Sequence, residues 1–129
     1  MAQVPIIQVG QVLIATVQGD LDDRDALALQ EKLSQLLERS GAQGVLLDLS
    51  VVGTVDSFLG RLLNEVAAGS QLLGAWTVIT GIQPAVAITL VELGLELKGI
   101  RTALNPAKGL ALLKRIIARE SSHVRSRAR

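Results

Sequence analysis

Short apolar runs alternate along this chain with longer segments whose apolar positions recur every three or four residues, and this alternation limits the fold more than anything else in the sequence. Continuous or period-2 apolar runs read as strands, and stripes of period 3.6 read as helices. Residues 6–9 and 12–17 predict a hairpin, because β-branched residues flank the turn pair Gly10-Gln11. Asp20 to Asp25 breaks that pattern. From Ala26 a helical stripe runs through Leu29, Leu33, Leu36 and Leu37, with Asp22 as its N-cap and Gly41 as a left-handed stop. Val45, Leu46, Leu47 and Leu49 then form a strand of the nearly continuous apolar kind found where both sheet faces are covered.

The second stripe, Leu59, Leu62, Leu63, Val66, Ala67 and Ser70, ends near Gly74, and residues 75–80 are strand-like. Pro84 suits the first turn of a third helix running to about Leu93, where its missing N–H costs nothing, and Gly94 ends it. Residues 100–103 make a last strand. Asn105-Pro106 starts a final helix carrying Leu110, Leu113 and Ile117 on one face and Lys114, Arg115 and Arg119 near its negative end. The order is ββαβαβαβα. Strands separated by helices call for a parallel sheet with crossovers, so the expectation is a single α/β domain over residues 1–119, a mixed and mostly parallel sheet with a leading hairpin and about four helices. Residues 120–129 are set apart as a basic, disordered tail: from Lys114 onward six cations face only Glu120.

Composition removes most chemistry. The chain has no cysteine, and its one histidine, His123, falls in the tail, which excludes thiolate metal sites, thiol nucleophiles and most histidine-based catalysis. Two aromatic residues, Phe58 and Trp76, are too few for a base-stacking platform, so no nucleic-acid partner is expected. No signal peptide or membrane-spanning run is visible, which points to the cytoplasm with no membrane partner. The glycines form neither a Walker loop nor a dinucleotide turn, so no cofactor is expected. Asp20, Asp22, Asp23 and Asp25 fail as a calcium loop, because Arg24 occupies the fifth place, and helix-start acidity explains them. No metal and no catalytic residue is assigned.

Asp56-Ser57 remains, directly before the second stripe and hence at a helix start. One reading makes Ser57 the cap, accepting a backbone N–H bond. Another makes it a phosphorylation site, since a phosphate there would face free N–H groups and the positive end of the dipole, with Asp56 opposing it at close range.

Asp56-Ser57-Phe58-Leu59, taken with Leu46-Leu47-Asp48-Leu49-Ser50, resembles the STAS domains of anti-sigma factor antagonists. The run from Thr80-Gly81-Ile82-Gln83-Pro84 to Gly94 resembles the signature of the stressosome branch of that family. The likeness extends from about Pro5 to Ile117. At 129 residues the chain has no room for the sensor domain of the larger paralogues, and it lacks a hydroxyl between Gly19 and Ser34, so the resemblance is to the small scaffold subunit. It implies a non-enzymatic protein that co-assembles with sensor STAS paralogues into a large homo- and hetero-oligomeric particle in a bacterial stress response. That particle sequesters a serine kinase, which is released when it phosphorylates the subunit, and a cognate phosphatase resets it. The family's phosphoserine falls on Ser57, with Asp56 and Phe58 flanking the switch and Gln83 and Pro84 as candidate partner-contact positions.

Two other readings stay open at this point. A ligand-binding STAS domain keeps the fold and changes the function. A phosphoaspartate receiver domain would use Asp48 at a strand end, but it needs an acidic pair that Asp20 and Asp22 replace poorly, and a lysine that is absent from residues 100–105.

Overall fold

The computed structural model describes residues 4–94, 97 and 99–127, with side chains described through residue 121. Five strands and four helices follow the expected order: β1 (Ile6–Val9), β2 (Val12–Thr16), α1 (Asp23–Ser40), β3 (Gly44–Asp48), α2 (Ser57–Leu72), β4 (Trp76–Thr80), α3 (Pro84–Glu92), β5 (Ile100–Ala103) and α4 (Pro106–Arg127). The strands lie in one sheet in sequence order, β1 antiparallel to β2 and every later pair parallel. Gly10, with φ of +58°, opens the two-residue hairpin loop, as a type II′ turn requires.

Because the parallel strands advance in one direction, right-handed crossovers place α1, α2 and α3 on the same side of the sheet. Their buried residues, among them Leu29, Leu33, Leu63, Val66, Val86 and Leu90, close over Val45, Leu47 and Ile79. α4 follows the last strand, is no crossover, and covers the other side through Leu113 against Val12, Leu46 and Val78. β3 is buried along its whole length, which accounts for its unbroken apolar run.

α1 begins in a reciprocal cap. The Asp25 amide donates to Asp22 Oδ1 at 2.8 Å, and the Asp22 amide donates to Asp25 Oδ2 at 3.2 Å. Two of the four clustered aspartates are thereby used as helix-start residues. The hydrogen bond from the Asp25 amide holds the Asp22 carboxyl below its ordinary range, with Arg24 adding to the effect. Gly41, at φ +69°, ends α1 as expected.

α4 differs from the sequence expectation. It continues as helix to Arg127, through residues 120–127 that were set apart as a disordered tail; residues 128 and 129 and the His123 side chain lie outside the described residues. Neither glycine nor proline follows Gly109, so nothing in this stretch stops a helix once the sheet has nucleated it. A helix of 22 residues spans about 33 Å at 1.5 Å per residue, about twice the length of a five-residue strand, so α4 overhangs the sheet.

Gly109 is what lets α4 lie close. A Cβ at this position would meet Thr80 Cγ2 and fall 2.9 Å from Leu46 Cδ1. Gly109→Ala should therefore cost about 1–3 kcal/mol in urea unfolding, although alanine is the better helix former by about 1 kcal/mol; a gain in stability would show that α4 can lift without penalty. The cap carries its own pH signature. A depressed carboxyl contributes stability above its unfolded value of 3.8, and that contribution is lost as pH falls through the lower folded value. Asn caps as well as Asp at neutral pH but does not titrate. Asp22→Asn should match the wild type at pH 7 and lose less stability between pH 5 and 3 in parallel urea titrations.

Candidate functional site

The residues singled out in the sequence gather beyond the carboxyl ends of β3 and β4. β3 ends at Asp48, which is 8% exposed. Its Oδ2 accepts from Ser50 Oγ at 2.7 Å and its Oδ1 from Thr80 Oγ1 at 3.1 Å. Gln83 Nε2 donates to the Ser50 carbonyl at 2.9 Å. The Leu49 amide donates to the Thr80 carbonyl at 2.8 Å, extending the β3–β4 ladder into the loop. Gly81 completes the clasp. At φ +72° it brings its backbone so near that a Cβ would fall 2.6 Å from Asp48 Oδ1 and 2.9 Å from Ser50 Cβ. The loop leading into α2 and the loop leading into α3 are thus fastened to one buried carboxylate.

That clasp is absent from the sequence reading, which treated Asp48 only as a receiver-type acceptor. Its signal was the pair of hydroxyls, Ser50 and Thr80, beside a strand-end acid. The structure also removes the receiver reading: both Asp48 oxygens are engaged, and the sheet lacks the reversal of strand order, 2-1-3-4-5, that receivers use.

The cap of α2 needs a correction. Asp56, not Ser57, is the N-cap: its backbone is extended and its Oδ1 accepts the Leu59 amide at 2.9 Å. Ser57 is the first helical residue and is exposed. Asp and Ser cap about equally well, so two adjacent candidates cannot be ranked from sequence. Phe58 is half-buried against the core and lines a groove of about 310 Å³ between α1 and α2, with Ala26, Leu27 and Leu62. Gln83 and Pro84 stand at the start of α3. The Gln83 amide is spent inside the clasp, whereas Pro84 is exposed at the first turn. Exposed Ala87, Ile88 and Val91 continue from Pro84 along one side of α3, opposite buried Val86 and Leu90.

Among the described residues no cluster of three or more acidic or histidine side chains could hold a metal, and no helix is long and apolar enough to cross a membrane.

The STAS domain model matches residues 3–107, which takes in every strand and the whole clasp. The chain belongs to the STAS domain family. Within that family it is similar to RsbS from Moorella thermoacetica, solved as a serine-to-glutamate variant: 38% identical, TM-score 0.79, over 91% of this chain and 99% of that one. A solved chain of the stressosome, described as a signal integration and transduction hub, is 40% identical with TM-score 0.77, over 88% of this chain and 98% of that one. The RsbT co-antagonist protein RsbRD of Bacillus subtilis is 32% identical over 98 residues, 76% of this chain and 35% of RsbRD. This STAS chain therefore spans about a third of the length of the curated relatives it matches and is RsbS-like in its structural likeness.

The division of work at the α2 start is measurable. Asp56→Ala should lose about 0.5–2 kcal/mol in chemical denaturation, and Ser57→Ala should stay within about 0.5 kcal/mol of wild type. Equal losses would mean that Ser57 shares the cap.

Proposed function

We propose that this STAS protein is a non-catalytic scaffold subunit that holds a serine kinase and lets it go when that kinase phosphorylates Ser57. One observation carries the reading: Asp56 caps α2, so the exposed Ser57 hydroxyl at the next position has no capping duty to lose. A phosphate there adds about −1.5 to −2 charges beside the Asp56 carboxylate and faces the open amides of the first helical turn. The fold tolerates that charge, whereas a partner seated on the same surface meets a new repulsion.

The clasp extends the switch sideways. Because Ser50 is tied to Asp48 and Gln83, the loop before Ser57 and the start of α3 form one surface. The apolar side of α3, with Ile88 58% and Val91 78% exposed, is the adjoining contact for the held partner. The Bacillus relatives are named as co-antagonists of RsbT, which supports reading the held partner as an RsbT-type protein. Those relatives extend well beyond the STAS region, so they fit the role of the sensor paralogues that co-assemble with this subunit into a large cytoplasmic particle. A cognate phosphatase restores the holding state. No cofactor enters this scheme.

With ATP and its cognate kinase, the wild-type chain should gain one phosphate, mapped to Ser57 by mass spectrometry, and release the kinase from a pull-down. Ser57→Ala should keep its thermal midpoint within a few degrees, take up no phosphate and retain the kinase with ATP present. Normal ATP-driven release from Ser57→Ala would overturn the proposal.

A further inference from the structure

We infer that the outer side of α4, together with the edge strand β5, forms an anion site that takes an oligophosphate group. A pocket of about 140 Å³ is lined there by Arg101, Arg115 and Arg119, with Leu112 and Ile116 between them. The fold explains why three arginines meet. Arg101 is paired with Val78, which belongs to the α4-side cluster, so Arg101 stands on the α4 side of β5. α4 runs back along that side, from Gly109 beside Thr80 at the carboxyl end of β4 to Ile117 beside Gly44 at the amino end of β3. Leu112, Arg115, Ile116 and Arg119 follow at i, i+3, i+4 and i+7 and so form one stripe of the helix. That stripe passes Arg101.

Charge gives the pocket its chemistry. Among the described residues no carboxylate lines it, and Glu120, the one acid from Lys114 to the end of the chain, stays outside the lining. Like charges four apart on a helix destabilise it, so Arg115 and Arg119 hold a repulsion that a bound anion turns into attraction. Leu112 and Ile116 are half-buried, which gives a seated anion an apolar wall and leaves less water to compete for the guanidiniums. All three cations are arginines, whose planar fork matches phosphate oxygens two at a time.

The same lining chooses among anions. A single carboxylate leaves two of the three cations unanswered, whereas a pyrophosphate group carries several negative charges and presents oxygens to all three. No aromatic side chain lines the pocket to stack a base. Its volume of about 140 Å³ is also well below the roughly 300 Å³ at which pockets begin to enclose a drug-sized ligand, so there is no seat for a nucleoside beside the phosphates. Nucleic-acid backbones and anionic membranes are met by cations spread over a surface, and these three converge on one point. The site lies on the side of the sheet opposite α2 and does not depend on the function proposed for Ser57.

Equilibrium dialysis of the full chain against radiolabelled pyrophosphate, in buffer free of other phosphate, tests it. Wild type should bind one pyrophosphate per chain with a dissociation constant of about 1 μM to 1 mM, the range that a few solvent-accessible charge-assisted contacts supply. Arg101→Gln and Arg115→Gln should each weaken binding about tenfold or more with unchanged circular dichroism. Arg115→Lys, which keeps the charge and loses the fork, should fall between. Lys108→Gln, exposed on the same helix but outside the lining, should bind like wild type. A second measurement needs no substitution: pyrophosphate should shift the amide resonances of residues 101 and 112–119 and leave those of residues 57–62 in place. Absence of saturable binding to wild type would overturn the site, as would resonance shifts confined to other residues. Equal losses from Lys108→Gln and Arg115→Gln would show diffuse attraction and overturn it as well. Duplex DNA or phosphatidylglycerol vesicles held through these arginines while pyrophosphate is not would replace it with a macromolecular surface.

Discussion

The Asp48 carboxylate is buried at the end of the central strand, and the functional end of the molecule depends on how that charge is satisfied. A buried carboxylate costs several kcal/mol unless hydrogen bonds replace its water. Here the replacements come from Ser50 in one loop and Thr80 at the end of the neighbouring strand. Satisfying the charge therefore draws the entry to α2 and the entry to α3 to the same point, and the backbone of Gly81 can come that close only because it carries no side chain. Neither loop can move far without leaving a buried oxygen unpaired.

From that anchor the labour at the α2 start is divided. Asp56 satisfies the Leu59 amide, Phe58 turns toward the groove against α1, and Ser57 between them is left at the surface. A phosphate on Ser57, as proposed, would disturb neither the cap nor the packing. The other end of the molecule has a different character. There α4 overhangs the sheet with its basic residues, and at the β1 edge the chain is uncharged and apolar.

Much of this was legible in the sequence. Periodicity located eight of the nine elements to within a few residues, and α4 at its start, since each buried face leaves its spacing in the chain: Leu29, Leu33 and Leu37 for α1, or the unbroken run through β3. Gly41, Pro84 and Asn105 marked helix ends because backbone conformation and capping demand those residue types. Two features were misread. Asp56 and Ser57 are both good caps, and only the backbone shows which one turns its side chain to Leu59. The stretch after Glu120 looked like a solvated tail by charge, whereas its helical course follows from α4 having been nucleated on the sheet.

The sequence by itself determined the α/β class, the order of elements, the exclusion of thiol and nucleotide-loop chemistry, and the motif around Ser57, because these follow from local residue types and their spacing. Only the tertiary structure decided that Asp48 is a clasp rather than an acceptor, that α1, α2 and α3 share one side of the sheet, and that Ile7 and Val9 are left bare on the other. Those outcomes join residues far apart in the chain, Asp48 to Thr80 and Gly44 to Ile117. They depend on strand register, on the hand of the crossovers and on how far α4 reaches across the sheet, and no local spacing records these.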